Sequence, residues 1–185
     1  MAIEPLKPLP GAVEFMEWAS QRYQIIILSD TFYEFGMHFM RQLGYPTLFC
    51  HKLDVDPSTG IIQDYKLRQP DPKRKCIEAF RSLNFATIAA GDSYNDRTML
   101  GAAHKGIWYD CTPEIAEELP MFPVARGYQQ LQATILEMER QINAEAAITG
   151  LPVHQGGAAI HAPNIISDPA SMPPGVGSLG KGVRH

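Results

Sequence analysis

The stretch Thr87-Ile88-Ala89-Ala90-Gly91-Asp92-Ser93-Tyr94-Asn95-Asp96 constrains the fold more than any other part of the sequence. A short apolar run halted by glycine reads as a buried strand. Two carboxylates and an amide follow at once, and a helical pattern begins at Arg97. In open parallel sheets, ligands bind where loops leave the carboxyl ends of strands. Acidic oxygens placed there suit a hard cation such as Mg²⁺, which in turn suits a phosphate. The same residues can equally cap a turn and the helix behind it. Taken alone, the decapeptide leaves both readings open.

The preceding sequence supplies a second strand of the same kind. Residues 11–23 carry Val13, Phe15, Met16, Trp18 and Ala19 with charge between them, an amphipathic helix pattern. Ile25-Ile26-Ile27-Leu28 is continuous and β-branched, as expected of a strand covered on both faces, and it ends in Ser29-Asp30-Thr31. A helix is predicted over 35–43 and is stopped by Gly44-Tyr45-Pro46. Two strand-like runs about Pro57-Ser58-Thr59-Gly60 predict a β-hairpin. Helices are predicted over 73–83, 99–104, 114–118 and 131–147, with a further short strand over 105–109. This alternation indicates an α/β fold with a parallel sheet. From about Gly150 proline and glycine accumulate and periodicity is lost, so residues 1–147 are expected as the domain and 148–185 as a disordered tail.

Bulk properties exclude several classes. A net charge of −4 argues against nucleic acid or an anionic membrane as the main partner. No apolar run reaches the length of a membrane span, and residues 1–10 lack the apolar core of a secretory signal. Cys50, Cys76 and Cys111 are odd in number and far apart, so neither a disulfide framework nor a zinc knuckle is expected and a cytoplasmic location is. Histidines 154, 161 and 185 are read as incidental rather than as a metal site.

If the strands are parallel neighbours, Ser29, Lys73 and the group Asp92, Asn95 and Asp96 converge. A hydroxyl, a cation and an acidic loop are the parts that hold a phosphoryl group. In this order, Ile25-Leu28-Ser29-Asp30-Thr31, Asp71-Pro72-Lys73-Arg74 and Gly91-Asp92-Ser93-Tyr94-Asn95-Asp96 resemble motifs two, three and four of the haloacid-dehalogenase superfamily. With Phe32-Tyr33-Glu34-Phe35 and Met40-Arg41-Gln42-Leu43-Gly44, the sequence is similar to the phosphoserine phosphatases over residues 5–135. The nearest resemblance is to the type that also transfers phosphate to homoserine.

The resemblance implies a Rossmann-like core with a mainly parallel sheet and a small β-hairpin, and hydrolysis of phosphoserine in serine biosynthesis. It implies Asp92 as a Mg²⁺ ligand and Asp96 as support for the metal shell. Ser29 and the Asp30 backbone would hold phosphoryl oxygens, Lys73 would neutralise the phosphate and Asn95 would contact substrate. The partner is a small phosphorylated amino acid, with homoserine as a candidate acceptor, and the reading is compatible with a homo-oligomer.

One part of the pattern is absent. The family's first motif, an Asp-x-Asp-Gly turn after a central first strand, supplies the attacking aspartate, and neither it nor the helical cap is found here. The sequence's one Asp-x-Asp, Asp54-Val55-Asp56, follows motif two and reads as hairpin chemistry. The expectation is therefore a truncated product or a gene model begun at an internal methionine, with negligible phosphatase activity. Two other functions stay open. A degenerate relative would bind Mg²⁺ or a phosphorylated ligand without chemistry. A Gly91-Asp92-Ser93 esterase would need a histidine base, yet none of the six histidines follows an aspartate by three residues.

Overall fold

The structure, a computed structural model, describes residues 7–149 and 157–159. In chain order the elements are α1 (Ala12–Ser20), β1 (Gln24–Phe32), α2 (Tyr33–Gln42), β2 (Thr47–Val55), β3 (Ile62–Lys66) and α3 (Pro72–Ser82). Then come β4 (Ile88–Gly91), a 3-10 turn (Tyr94–Asp96), α4 (Arg97–Ala102), β5 (Lys105–Tyr109) and α5 (Pro113–Glu118). The two-residue strand β6 (Val124–Ala125), α6 (Gly127–Thr149) and β7 (Gly157–Ala159) complete the series.

Strands pair in the orders β3-β2-β1-β7 and β4-β5-β6. All pairings are parallel except β2 with β3, which forms the expected hairpin. Alternation along β1 explains the layering. Ile25 and Ile27 enter one core with Phe15 and Met16 of α1, Phe39 of α2 and Leu131 and Ile135 of α6. Ile26 and Leu28 enter the other, with Ile77 of α3, Met99 and Leu100 of α4 and Ile115 of α5. A strand covered on both faces must be apolar throughout, which is why its sequence runs without alternation. Each such fully buried aliphatic side chain contributes roughly 1.5–3 kcal/mol.

β1 continues past its apolar run through Ser29-Asp30-Thr31 to Phe32. Its partners step from Leu28↔Phe49 to Phe32↔His51, so four positions on β1 match two on β2. That bulge lifts Ser29 and Asp30 out of the ladder at the strand's carboxyl end, the usual use of such irregularities. Of the segment expected as a tail, residues 148–185, the structure describes the end of α6 at Thr149 and Gly157–Ala159, which is paired to β1. The rest of that segment and its three histidines lie outside the described residues. No helix among the described residues is long and apolar enough to cross a membrane.

Candidate phosphate-binding site

Three elements meet at the carboxyl ends of β1 and β4. Lys73 lies in the first turn of α3, behind Asp71 in the left-handed region (φ 48°) and Pro72, which suits the first helical turn. Although a lysine, it is only 6% exposed. Its Nζ donates to Asp30 Oδ2 at 2.8 Å and to Asp96 Oδ1 at 2.9 Å. Burial by itself pulls the ammonium's pKa down, but Asp96 and Asp30 outweigh it and the net shift is upward. Lys73 is therefore a cation at any physiological pH.

Asp96 is buried completely. Its second oxygen accepts from the Asp92 N–H at 3.1 Å, and from the Ser93 N–H and Oγ at 3.3 Å each. Ser93 and Asp96 thus form a reciprocal cap on the turn that carries Tyr94 and Asn95. The close approach depends on Gly91, because a Cβ there would lie 2.4 Å from Asp96 Cβ. Asp92, half-buried, begins this loop, and Asn95 is exposed on it. The turn is capped by Ser93 with Asp96, whereas α4 behind it has no side-chain cap at Asp96, whose carboxylate also meets Lys73.

Ser29 and Lys73 line one small pocket with His51 and Arg68. The Ser29 Oγ accepts from the Thr31 N–H at 3.2 Å, which fixes the bulge. His51, also buried, accepts the Arg68 N–H on Nδ1 at 3.1 Å and turns Nε2 toward Asp30 Oδ1 at 3.9 Å. Arg68 donates to the Cys50 carbonyl and the Tyr33 hydroxyl, and its guanidinium stacks over Phe49 at 4.9 Å. The sequence reading missed His51 and Arg68. The available signal was a polar residue inside the apolar run Leu48-Phe49-Cys50-His51, opposite the end of β1. It also missed Thr98, whose hydroxyl donates to Asp71 at 3.0 Å and ties α4 to the start of α3.

Other candidates lie apart from this rim. Asp54 pairs with Lys66 along the hairpin, and Asp56 accepts from Ser58 and Thr59 in its turn, which lowers its pKa to about 2. Among the described residues, His51 and His104 accept from the Arg68 and Thr87 amides, and the Ser93 hydroxyl is bound to Asp96. Burial raises the pKa of all three cysteine thiols, Cys50 to about 11, so none is an activated nucleophile. A groove of about 740 Å³ beside His104 and Phe122 sits at the amino end of β5, away from the rim. Among the described residues no three His, Cys, Asp or Glu side chains cluster tightly enough to form an all-protein metal cage.

A doubly covered parallel sheet, with a lysine-neutralised acidic rim at its strand ends, defines an α/β domain of the Rossmann-like class. The chain belongs to the haloacid dehalogenase-like hydrolase family, which it matches over residues 1–104. It is 53% identical over 135 residues to phosphoserine phosphatase ThrH of Pseudomonas aeruginosa, covering 73% of this chain and 65% of that protein. It is 50% identical over 135 residues to a phosphoserine phosphatase of Pseudomonas syringae pv. tomato, covering 73% of this chain and 56% of the other. The chain therefore spans less than two thirds of the length of these relatives. A solved phospho-aspartyl intermediate analogue of phosphoserine phosphatase shares the fold, with TM-score 0.52, 22% identity and coverage of 64% and 66% of the two chains.

Proposed function

We propose that this rim is the phosphate-gripping half of a phosphoserine phosphatase centre. The observation that carries the reading is Lys73, a buried ammonium shared by Asp30 and Asp96. Asp30 is 44% exposed on its side chain whereas Asp96 has no exposure, so the two contacts are unequal. An arriving phosphoryl group takes the place of Asp30 on the ammonium, and Asp96 keeps Lys73 in position. The Ser29 hydroxyl and the Asp30 N–H, both presented by the bulge, donate to phosphoryl oxygens. Asn95, exposed on the opposite loop, contacts the amino-acid part of the substrate.

The donor set suits Mg²⁺, which binds through one or two carboxylates with water and phosphate oxygens completing its shell. Asp92 is the direct ligand in this reading, and Asp96, already committed to Lys73 and the loop amides, supports the shell from behind. The bound ion supplies positive charge against the phosphoryl oxygens. Asp30 and Asp96 are both held by Lys73, and the one Asp-x-Asp of the sequence is in the hairpin. The rim residues thus supply the grip on phosphoserine, and none of them is assigned here as the attacking group. Transfer to water or to homoserine would use the same gripping residues, in a reducing, cytoplasmic setting.

Phosphate release and calorimetry, run side by side with Mg²⁺ and phosphoserine, test this. Saturable one-to-one heat of phosphoserine binding is expected, with or without phosphate release. Absence of binding would contradict the site.

A further inference from the structure

We propose that the outer edge of β3 is a homodimer interface, at which a second copy of this chain adds its own β3 in antiparallel register about a two-fold axis at Tyr65. Among the described residues β3 ends its sheet with β2 as its one strand neighbour, and all five of its residues are exposed. Ile61, Ile62, Tyr65 and Leu67, on or beside that edge, are large apolar side chains left in solvent. An exposed apolar edge strand is a template for another strand.

The ladder with β2 fixes which backbone groups face outward. In an antiparallel pair, alternate residues turn their N–H and C=O toward the partner. Leu53, directly opposite Tyr65, sends its N–H to Glu34 Oε2 at 3.0 Å rather than across to β3. Tyr65 therefore turns its own N–H and C=O to the outer edge. Its N–H is held there by the neighbouring side chain, Asp64 Oδ1, at 2.8 Å.

The charges select the occupant and its register. Asp64 and Lys66 share one face of the hairpin, and each sits directly opposite its like, Asp54 and Lys52. Like charges directly opposite one another destabilise a ladder. Lys66 finds Asp54 Oδ2 along the diagonal at 3.4 Å, whereas Asp64 makes no ion pair among the described residues. With Tyr65 facing Tyr65 of a second copy, Asp64 faces that copy's Lys66, and Lys66 faces its Asp64. Side chains come closest at these non-hydrogen-bonded positions. The neighbouring registers set Asp64 against Asp64 or Lys66 against Lys66. When the Asp64 carboxylate moves to the facing ammonium, the Tyr65 N–H is released to the carbonyl of the other Tyr65. Charges on an edge ordinarily keep other strands away; here they admit one register of this same strand. So short a ladder falls below the roughly 1,200 Å² of total buried area at which stable complexes begin, so the dimer is weak and concentration-dependent.

Sedimentation of the full chain over a concentration series, at low salt and without phosphoserine or Mg²⁺, tests the interface. A reversible monomer–dimer equilibrium that weakens as salt is added is expected. Asp64→Lys and Lys66→Asp should each weaken self-association at least tenfold, because each sets like charges together at both ends of the ladder. Mixed in equal amounts, the two variants should associate with one another to within threefold of the parent, since every facing pair is then opposite again. Tyr65→Cys should oxidise to a crosslinked dimer at least tenfold faster than Gln63→Cys, which faces Leu67 of the second copy, over the baseline of the parent with its Cys50, Cys76 and Cys111. A chain that stays monomeric at the highest concentration reached would overturn the proposal. So would charge variants that associate as the parent does, or a mixture that binds no tighter than either variant alone. Should a charge variant fail to fold, the two crosslinking rates decide, and equal rates would overturn it.

Discussion

Lys73 Nζ lies 2.9 Å from the buried Asp96 Oδ1, joining the first turn of α3 to the loop that leaves β4. The same ammonium reaches Asp30 on β1. The contact holds together three segments far apart in the sequence. Its strength comes from burial, and so does its vulnerability.

Removal of either partner should therefore be unequal in cost. Asp96→Ala leaves the buried lysine with only the more exposed Asp30 and three loop donors without their acceptor, and breaking such a buried pair costs roughly 3–5 kcal/mol. Asp30→Ala removes the more exposed partner and should cost about 1 kcal/mol or less. Urea unfolding of the two variants measures the difference. Equal losses would mean that Asp96 is not the anchor of the site.

Gly91→Ala adds only a methyl group but places it against Asp96. With a Cβ 2.4 Å from that side chain's own Cβ, the loop must shift. A destabilisation of roughly 1–3 kcal/mol is expected for such overpacking, together with weakened phosphoserine binding. Gly101→Ala, where an added Cβ meets nothing within 4 Å, should leave binding unchanged. Indistinguishable variants would remove the argument for close approach at Gly91.

Alkaline unfolding reports on the lysine directly. The folded pKa of Lys73 is raised above its ordinary value of about 10.4. Its contribution is complete below that ordinary value and is lost as pH rises through the higher folded one. Lys73→Met should thus be less stable than the parent by a constant margin from pH 6 to about pH 10, and the margin should shrink above that. A margin that instead closes between pH 6 and 8 would contradict the charged, paired lysine.

His104 should make the opposite contribution on the acid side. Burial, and then Arg81, lower its pKa, while its Nδ1 accepts the Thr87 N–H at 3.1 Å and so cannot take a proton without losing that bond. Stability tied to this group is complete above the ordinary histidine value near about 6.5 and falls as pH drops below it. His104→Asn should flatten the urea midpoint between pH 7 and 5. An unchanged slope would show that other groups set it.

Local chemistry made much of this legible in the sequence. The run at Ile25-Ile26-Ile27-Leu28 could only be a strand covered on both faces, and Pro57-Ser58-Thr59-Gly60 between two strand patterns could only be a turn. Strand-end acids and the order of Ser29, Lys73 and Asp92 point in the sequence to a shared rim. What remained hidden was set by pairing rather than by local pattern. The bulge at Ser29 depends on the register of β1 against β2. The roles of His51 and Arg68 depend on the hairpin's return to the end of β1. Gly157-Ala158-Ala159 has no strand signal of its own, yet it pairs with β1.

Binding of phosphoserine in the presence of Mg²⁺, measured by calorimetry on the parent chain and three variants, tests the rim most directly. Lys73→Met and Ser29→Ala should each weaken binding at least tenfold, while Asp54→Ala, on the hairpin carboxylate paired with Lys66, should leave it unchanged. Loss of binding in Asp54→Ala, with full binding retained in Lys73→Met, would contradict the site.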